Sequence, residues 1–501
     1  MIVCTRHLWP ACVRLVGGAL LVLLTPGLLA AQQAASDSPP PATSGSPTLA
    51  APMNPALFEG LWQPAGQQAA AIPDYRSPEC PGCPNRNWGR AVAATIGVNA
   101  IFTLTNLAFR PNERYEFQVT PATWWDNLKN GFVFDDNNFR INQFGHPYQG
   151  ALYFSSGRAN GLNYWESSVL VALGSFTWEC CGETNRGSIN DYFSTTMGGM
   201  VIGEIQHRMA SLVLDTTATE GRIAREVAAM AIDPVGGFFR IIHGEWGKVR
   251  ENRPDRRPDV LTMSLQTGAL WRGAGGTLDE ASAFPYVELD FGYGDLVRAP
   301  FRKPFDAFQS RFVLGGGKGV SELVVLGRVY GMSLSQSQAG AASFLITQGF
   351  AYLTNPAYDL GGQSVDVGIG TVKTLGRRTS LSFLAMGQFV PLAAISAEYV
   401  DINERTYDFG PAIGASFLAA LRWYGDPVLR LFYHSSFINS VNGSDATHYV
   451  DMLQARAQFP IGKTFGAGGS FTLFTRNSKY PAAPAVHTRY PESRVFFSYR
   501  F

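Results

Sequence analysis

The residues best suited to chemistry lie between Asn142 and Arg208, where polar side chains crowd into otherwise apolar segments. His146, Glu166, Glu179, Asp191, Glu204 and His207 are spread along this stretch. A carboxylate in an apolar setting must be paired, hydrogen-bonded, metal-bound or protonated, because desolvation penalises its charge. Glu204 and His207 are three apart on a predicted helix, so they project from nearly one face. Glu-x-x-His is the spacing that carboxylate-bridged metal bundles use, with further Glu residues from facing helices. Glu204 and His207 are therefore the candidate metal ligands, and His146, Glu166 and Glu179 could complete the shell. That architecture needs a second Glu-x-x-His, and the sequence has none. The competing reading is structural: Arg158 and Arg208 neutralise the carboxylates in a buried network with Glu179 and Asp191. Buried ion-pair networks perturb carboxylates as active sites do.

As a catalytic set, His146, Glu166, Glu204 and His207 would act on a lipid or lipid-linked group. Ser155, Ser156, Ser167 and Ser168 flank the cluster, so a Ser-His pair is conceivable. No Gly-x-Ser-x-Gly elbow and no phosphate-cradling Walker sequence occurs. Gly315-Gly316-Gly317 before Lys318 lacks the Ser or Thr that would follow, and reads as a loop tip. No particular cofactor follows from these residues.

Helices must hold these groups. Ala91–Phe109 carries no charge and is long enough to cross a bilayer. Export through the inner membrane argues instead for a helix buried in a core or inside a barrel. Further helices are predicted at Leu162–Trp178, at Ser188–Leu214 with a break at Gly198-Gly199, and at Thr219–Ala231. Their many small residues let helices approach closely.

From about Gly236 the period becomes two. Twelve strands are predicted, the first at 236–246 and the last at 494–501. Pro285, Val287, Leu289, Phe291 and Tyr293 alternate with Tyr286, Glu288, Asp290 and Gly292. Connections alternate long and short, with Asp295–Val320, Pro391–Tyr407 and Arg476–Ser493 on the long side. Such alternation fits a membrane barrel with long outer loops and short inner turns. Only 16% of residues are charged, 13% are aromatic and 53 are glycine, which suits lipid-facing strands. Lys plus Arg is 40 against 39 for Asp plus Glu, so no basic stripe points to nucleic acid.

The amino-terminal residues have a basic start, an apolar run from Leu15 to Leu29 and small residues after it, the pattern of a cleaved secretory signal. The predicted organisation is a signal over 1–31, an Ala/Pro/Ser-rich disordered leader over 32–57, an irregular Cys-containing segment over 58–89, a helical domain over 90–234 and a barrel over 235–501. In an exported chain Cys80, Cys83, Cys180 and Cys181 are disulfide candidates, with a tie between the Cys80 and Cys180 regions one option.

Two resemblances extend this reading. The stretches NQFGHPYQG, NGLNYWES, GSFTWE, SINDYF and GGMVIGEIQHR resemble a bacterial family of exported proteins known as a domain of unknown function, which implies no activity. The terminal strand, with Val495, Phe497, Tyr499 and Phe501 on one face, resembles the closing strand of bacterial outer-membrane barrels. That resemblance implies outer-membrane lipid as environment and the barrel-assembly machinery as partner, reading Phe497, Tyr499 and Phe501. The expected fold is an α+β membrane protein, an antiparallel outer-membrane barrel of about twelve strands behind a helical plug or docked periplasmic domain. Two functions stay open: envelope structure or restricted transport, and lipid modification at the His/Glu site.

Overall fold

The structure is a computed structural model that describes residues 84–253, 256, 258–273, 277–278, 282–316, 319–399, 405–423, 426–462 and 464–501. The predicted signal, the leader, most of the irregular segment and with it Cys80 and Cys83 lie outside the described residues. The described chain divides after Arg257 into a helical unit and a β unit.

The helical unit contains α1 (Trp88–Phe109), α2 (Pro121–Asn130), α3 (His146–Ala159), α4 (Tyr164–Cys181), α5 (Ile189–Val213), α6 (Arg222–Ile232) and α7 (Pro234–Ile242). Side chains start these helices. Asn163 and Glu166 form a capping box on α4, and Ser188 accepts the Asp191 amide of α5. A π-turn at Ile141–Gly145 feeds directly into α3. The predicted break at Gly198-Gly199 is absent, since α5 runs through both residues. The glycines serve packing instead. A Cβ on Gly199 would stand 2.4 Å from the Gly150 carbonyl carbon, and one on Gly150 would stand 2.0 Å from the Thr195 oxygen. The α3 and α5 backbones therefore meet where neither residue can carry a side chain.

Two expectations fail here. Helix α1 is not buried: Ala91, Thr95 and Val98 are covered, while Ile101, Leu104 and Phe109 are exposed. It docks along one edge only, where the Asn99 amide donates to Gly174 O at 3.1 Å and to Thr177 Oγ1 at 2.9 Å. The predicted first strand at 236–246 falls largely on α7. Asp233 accepts the Gly236 amide at 2.8 Å and Pro234 presets the first turn, so the helical start overrides the apolar run that follows.

The β unit has twelve strands: β1 (Leu261–Arg272), β2 (Ser282–Tyr293), β3 (Phe308–Gly315), β4 (Val320–Ser337), β5 (Gly340–Thr354), β6 (Asp359–Thr374), β7 (Thr379–Ser396), β8 (Tyr407–Trp423), β9 (Asp426–Asn439), β10 (Thr447–Ile461), β11 (Phe465–Tyr480) and β12 (Ala483–Arg500). Each pairs antiparallel with the next, and β1 pairs with β12 from Ser264↔Arg500 to Arg272↔Glu492, closing the barrel. Closure leaves no sheet edge unpaired. The twelve differ from the predicted twelve by one exchange, the 236–246 segment for β3. Strand β3 lies within the expected outer loop Asp295–Val320. The rest of that stretch, Gly294–Ala307, leaves the same end of the barrel as the carboxy-terminus and folds inward. There Leu296, Val297 and Phe305 are buried, and Ser343 Oγ donates to Val297 O at 2.6 Å. The expected outer loop Arg476–Ser493 is the β11–β12 hairpin itself.

Candidate functional site

The helical unit gathers acids around one histidine. Val133 stitches the segment before α3 to the start of α5: its amide donates to Gly187 O at 2.9 Å, and its carbonyl accepts from Ile189 at 2.7 Å. This places Asp135 beside Asn190, whose Oδ1 accepts the Asp135 amide at 3.0 Å. The first turn of α3 brings His146, the last turns of α4 bring Glu179, and the first turn of α5 brings Asp191. Ligand-capable atoms of His146, Glu179 and Asp191 lie within 4.8 Å of one another, and all three residues are buried. His146 Nε2 stands 3.3 Å from Asp191 Oδ2. Among the described residues, His146 Nδ1 has no hydrogen-bond partner.

Neutral donors orient the carboxylates. The Ser188 amide donates to Glu179 Oε2 at 2.7 Å. Asn190 Nδ2 donates to Asp191 Oδ1 at 3.0 Å and to Asp135 Oδ1 at 2.5 Å, and Asn142 Nδ2 donates to Asp135 Oδ1 at 3.1 Å. The Asp135 and Asp191 carboxyls share a hydrogen bond. Burial, then the neighbouring acid Glu183, raises the Glu179 carboxyl well above its ordinary range; burial, then Asp135 and Glu179, does the same to Asp191. Burial pushes Glu183 up to about 7 and His146 down to about 4, the latter opposed by Asp135.

The other predicted residues sit elsewhere. Glu166 completes the α4 capping box and pairs with Arg86. Glu204 lies between two guanidinium groups, Arg158 Nε at 3.0 Å and Arg208 Nε at 2.8 Å. Arginine charge thus meets each oxygen of Glu204. His207 turns to Asp233, with Nδ1 at 3.9 Å from Oδ2, and lines a cavity of about 460 Å³ with Arg158 and Arg240. Burial and the Arg158 charge lower its pKa, opposed by the nearby Asp233 and Glu204 carboxylates. The four catalytic candidates thus occupy different settings. Asp135 and Glu183 were missed by sequence reading. Asp135 precedes the recognisable motif, and only the tertiary stitch at Val133 brings it in. Cys180 and Cys181 close on each other as adjacent residues, so Cys180 forms no tie to the Cys80 region.

The barrel wall separates chemistry by face. Outward, Val367, Ile413, Phe417, Leu431, Leu453, Phe471, Val495 and Phe497 are exposed. Inward, Glu288 on β2 meets Arg311 (β3) at 2.8 Å, Arg456 (β10) at 3.1 Å and Arg494 (β12) at 3.0 Å. Glu492 bridges Arg272 and Arg494 at 3.0 and 2.7 Å. Leu326, Leu345, Leu384, Phe432, Met452 and Phe474 belong to one buried apolar cluster. Tyr358, in the β5–β6 turn, packs edge-on against Phe474 of β11 at 6.3 Å, reaching across the cylinder. Strand side chains and the 294–307 segment project into the lumen.

Residues 131–235 match the family described as Domain of unknown function (DUF3943), and Asp135, His146, Glu179, Asp191, Glu204 and His207 all fall inside the match. No curated protein is significantly similar to the chain. Three solved structures illustrate the likeness of the barrel. The NanC porin aligns at 6% identity over 48% of this chain and 100% of its own, with a TM-score of 0.25. The outer membrane channel DcaP of Acinetobacter baumannii aligns at 10% identity over 48% and 96%, with a TM-score of 0.20. An outer membrane channel from Pseudomonas putida F1 aligns at 12% identity over 48% and 95%, with a TM-score of 0.24. Likeness at that level carries no functional argument; the barrel is established by its own strand pairing.

Proposed function

We propose that this chain is an integral outer-membrane protein whose lipid-embedded barrel is closed to bulk solutes and anchors the helical domain in the cell envelope. The observation that carries the reading is the inversion of polarity across the wall. Val367, Phe417 and Leu431 face outward, whereas Arg311, Arg494 and Glu288 are fully buried inside. A soluble barrel in water would gain nothing from an outer apolar band, while hydrocarbon requires one. The interior argues against an open pore. Ion pairs such as Arg456–Glu288 join strands four places apart in the barrel order, so they cross the space a channel would occupy. The predicted signal over 1–31 and the aromatic closing strand supply the address, with Phe497, Tyr499 and Phe501 presented to the barrel-assembly machinery.

The test is electrophoretic mobility with and without boiling, combined with conductance in planar bilayers. The reading expects heat-dependent mobility from outer-membrane fractions and no steady channel current. Stable large currents, or a monomer that remains soluble without detergent, would refute it.

A further inference from the structure

We propose that His146, Glu179 and Asp191 form a binding site for one first-row divalent transition cation, with Asp135 oriented beside it. The three residues reach one point from three helices, α3, α4 and α5. Their donor atoms lie within 4.8 Å of one another, close to the span of about 4 Å between opposite ligands each about 2.1 Å from an ion. One imidazole nitrogen with carboxylate oxygens suits zinc, iron or manganese better than the all-oxygen shells of calcium and magnesium.

Three observations beyond the gathering of acids point to a cation. The buried His146 ring turns Nε2 to Asp191 Oδ2 at 3.3 Å, and among the described residues its Nδ1 has no hydrogen-bond partner. The Ser188 amide fixes Glu179 Oε2, and Asn190 Nδ2 fixes Asp191 Oδ1 beside the hydrogen bond that Asp191 shares with Asp135, while Asp191 Oδ2 turns to His146. That is the outer-shell arrangement that orients metal ligands. Among the described residues, neither Glu179 nor Asp191 has an arginine or lysine ion partner. Buried carboxylates without such partners need a proton or a metal ion to balance them. A site with one histidine among the acids favours the ion.

The experiment uses the full-length chain in detergent, stripped with chelator and dialysed against Zn2+ or Mn2+ alone. Elemental analysis is expected to give one ion per chain, and X-ray absorption of the Zn2+-loaded protein one imidazole with oxygen ligands. Asp191→Asn and, separately, Glu179→Gln should weaken binding by about 100-fold or more, beyond the loss typical of an outer-shell change. Glu204→Gln should leave the stoichiometry unchanged. Wild-type protein that binds no stoichiometric ion, a shell containing sulfur or lacking nitrogen, or full retention in Asp191→Asn and Glu179→Gln would overturn the assignment. The absorption measurement needs only wild-type protein, so it decides the matter even where a variant fails to fold.

Discussion

Glu288 offers the sharpest test of the filled barrel. Its side chain is fully buried on β2 and holds three guanidinium groups, from Arg311, Arg456 and Arg494. Glu288→Gln preserves shape and some hydrogen bonding but removes the charge. The arginines are affected unequally. Arg311 keeps Asp290 at 2.7 Å, and Arg494 keeps Glu492 at 2.7 Å. Arg456 is left with the neutral Gln266 amide oxygen and the Phe496 ring, 4.2 Å below its guanidinium. Removing one partner of a buried ion pair costs about 3–5 kcal/mol, mostly as the penalty of the stranded charge. Two of the three arginines retain an acid, so the expected loss is at the lower end, about 3 kcal/mol. Replacing the stranded cation as well, in Glu288→Gln/Arg456→Met, should recover about half of it while keeping contact with the Phe496 ring. The assay is urea unfolding of the barrel in phospholipid vesicles, followed by tryptophan fluorescence and heat-dependent mobility. A Glu288→Gln variant within about 0.5 kcal/mol of wild type, as at an exposed site, would refute the cross-lumen network. So would a double variant less stable than the single.

Three further outcomes are expected. Leu431→Arg places a cation midway along β9 on the outer face and should cost about 2–4 kcal/mol in the same vesicle assay; a change of a few tenths would mean that this face is not in lipid. Gly199→Ala forces a methyl group against the Gly150 backbone, so the helical unit should lose about 1–3 kcal/mol in thermal unfolding while the barrel's heat-dependent mobility stays unchanged. His207 has its pKa lowered in the fold by burial and by Arg158, so below about pH 6.5 the unfolded chain binds the proton more readily. Its contribution is therefore present above that pH and lost as pH falls, and His207→Gln should flatten the acid side of the helical unit's melting profile; an unchanged slope would count against the assignment.

Much of the barrel was legible because its signal is local. Alternation in 285–293 and in 494–500 marks strands without reference to anything distant, and the outward and inward faces follow directly. The misreadings came where a local pattern had two solutions. The run after Pro234 is apolar in either period, and only the Asp233 cap decides for a helix. Strand β3 is short and alternates weakly, so it disappeared into its loop. The site was half legible. His146, Glu179 and Asp191 stood out as polar residues among apolar ones, but their association depends on the α3–α5 approach at Gly150 and Gly199, which spacing along the chain cannot convey. Glu204 and His207 drew attention through their helical spacing, yet spacing on one helix says nothing about the arginines that arrive from elsewhere.

Several other acids of the chain, unlike Glu179 and Asp191 beside His146, are paired with arginine. Glu204 has Arg158 and Arg208; Glu226 has Arg222 and Arg240; Glu492 has Arg272 and Arg494; Asp306 has Arg328. The planar guanidinium suits this task, since it stays charged when buried and can serve two acceptors. The acids around His146 are met by amides, a backbone N–H and the hydrogen bond between Asp135 and Asp191, much as buried Asp366 is met by neutral donors such as Thr347. Glu204 shows that an arginine can hold a buried acid within these same helices. Substituting Asn for Asp191 separates the two accounts. If the cluster is a proton-balanced strut, the neutral amide should stabilise the helical unit at neutral pH, by removing a carboxyl that folding must keep protonated. If it is an ion site, the same change should lower the melting temperature in the presence of Zn2+ and abolish the increment that Zn2+ gives the wild type.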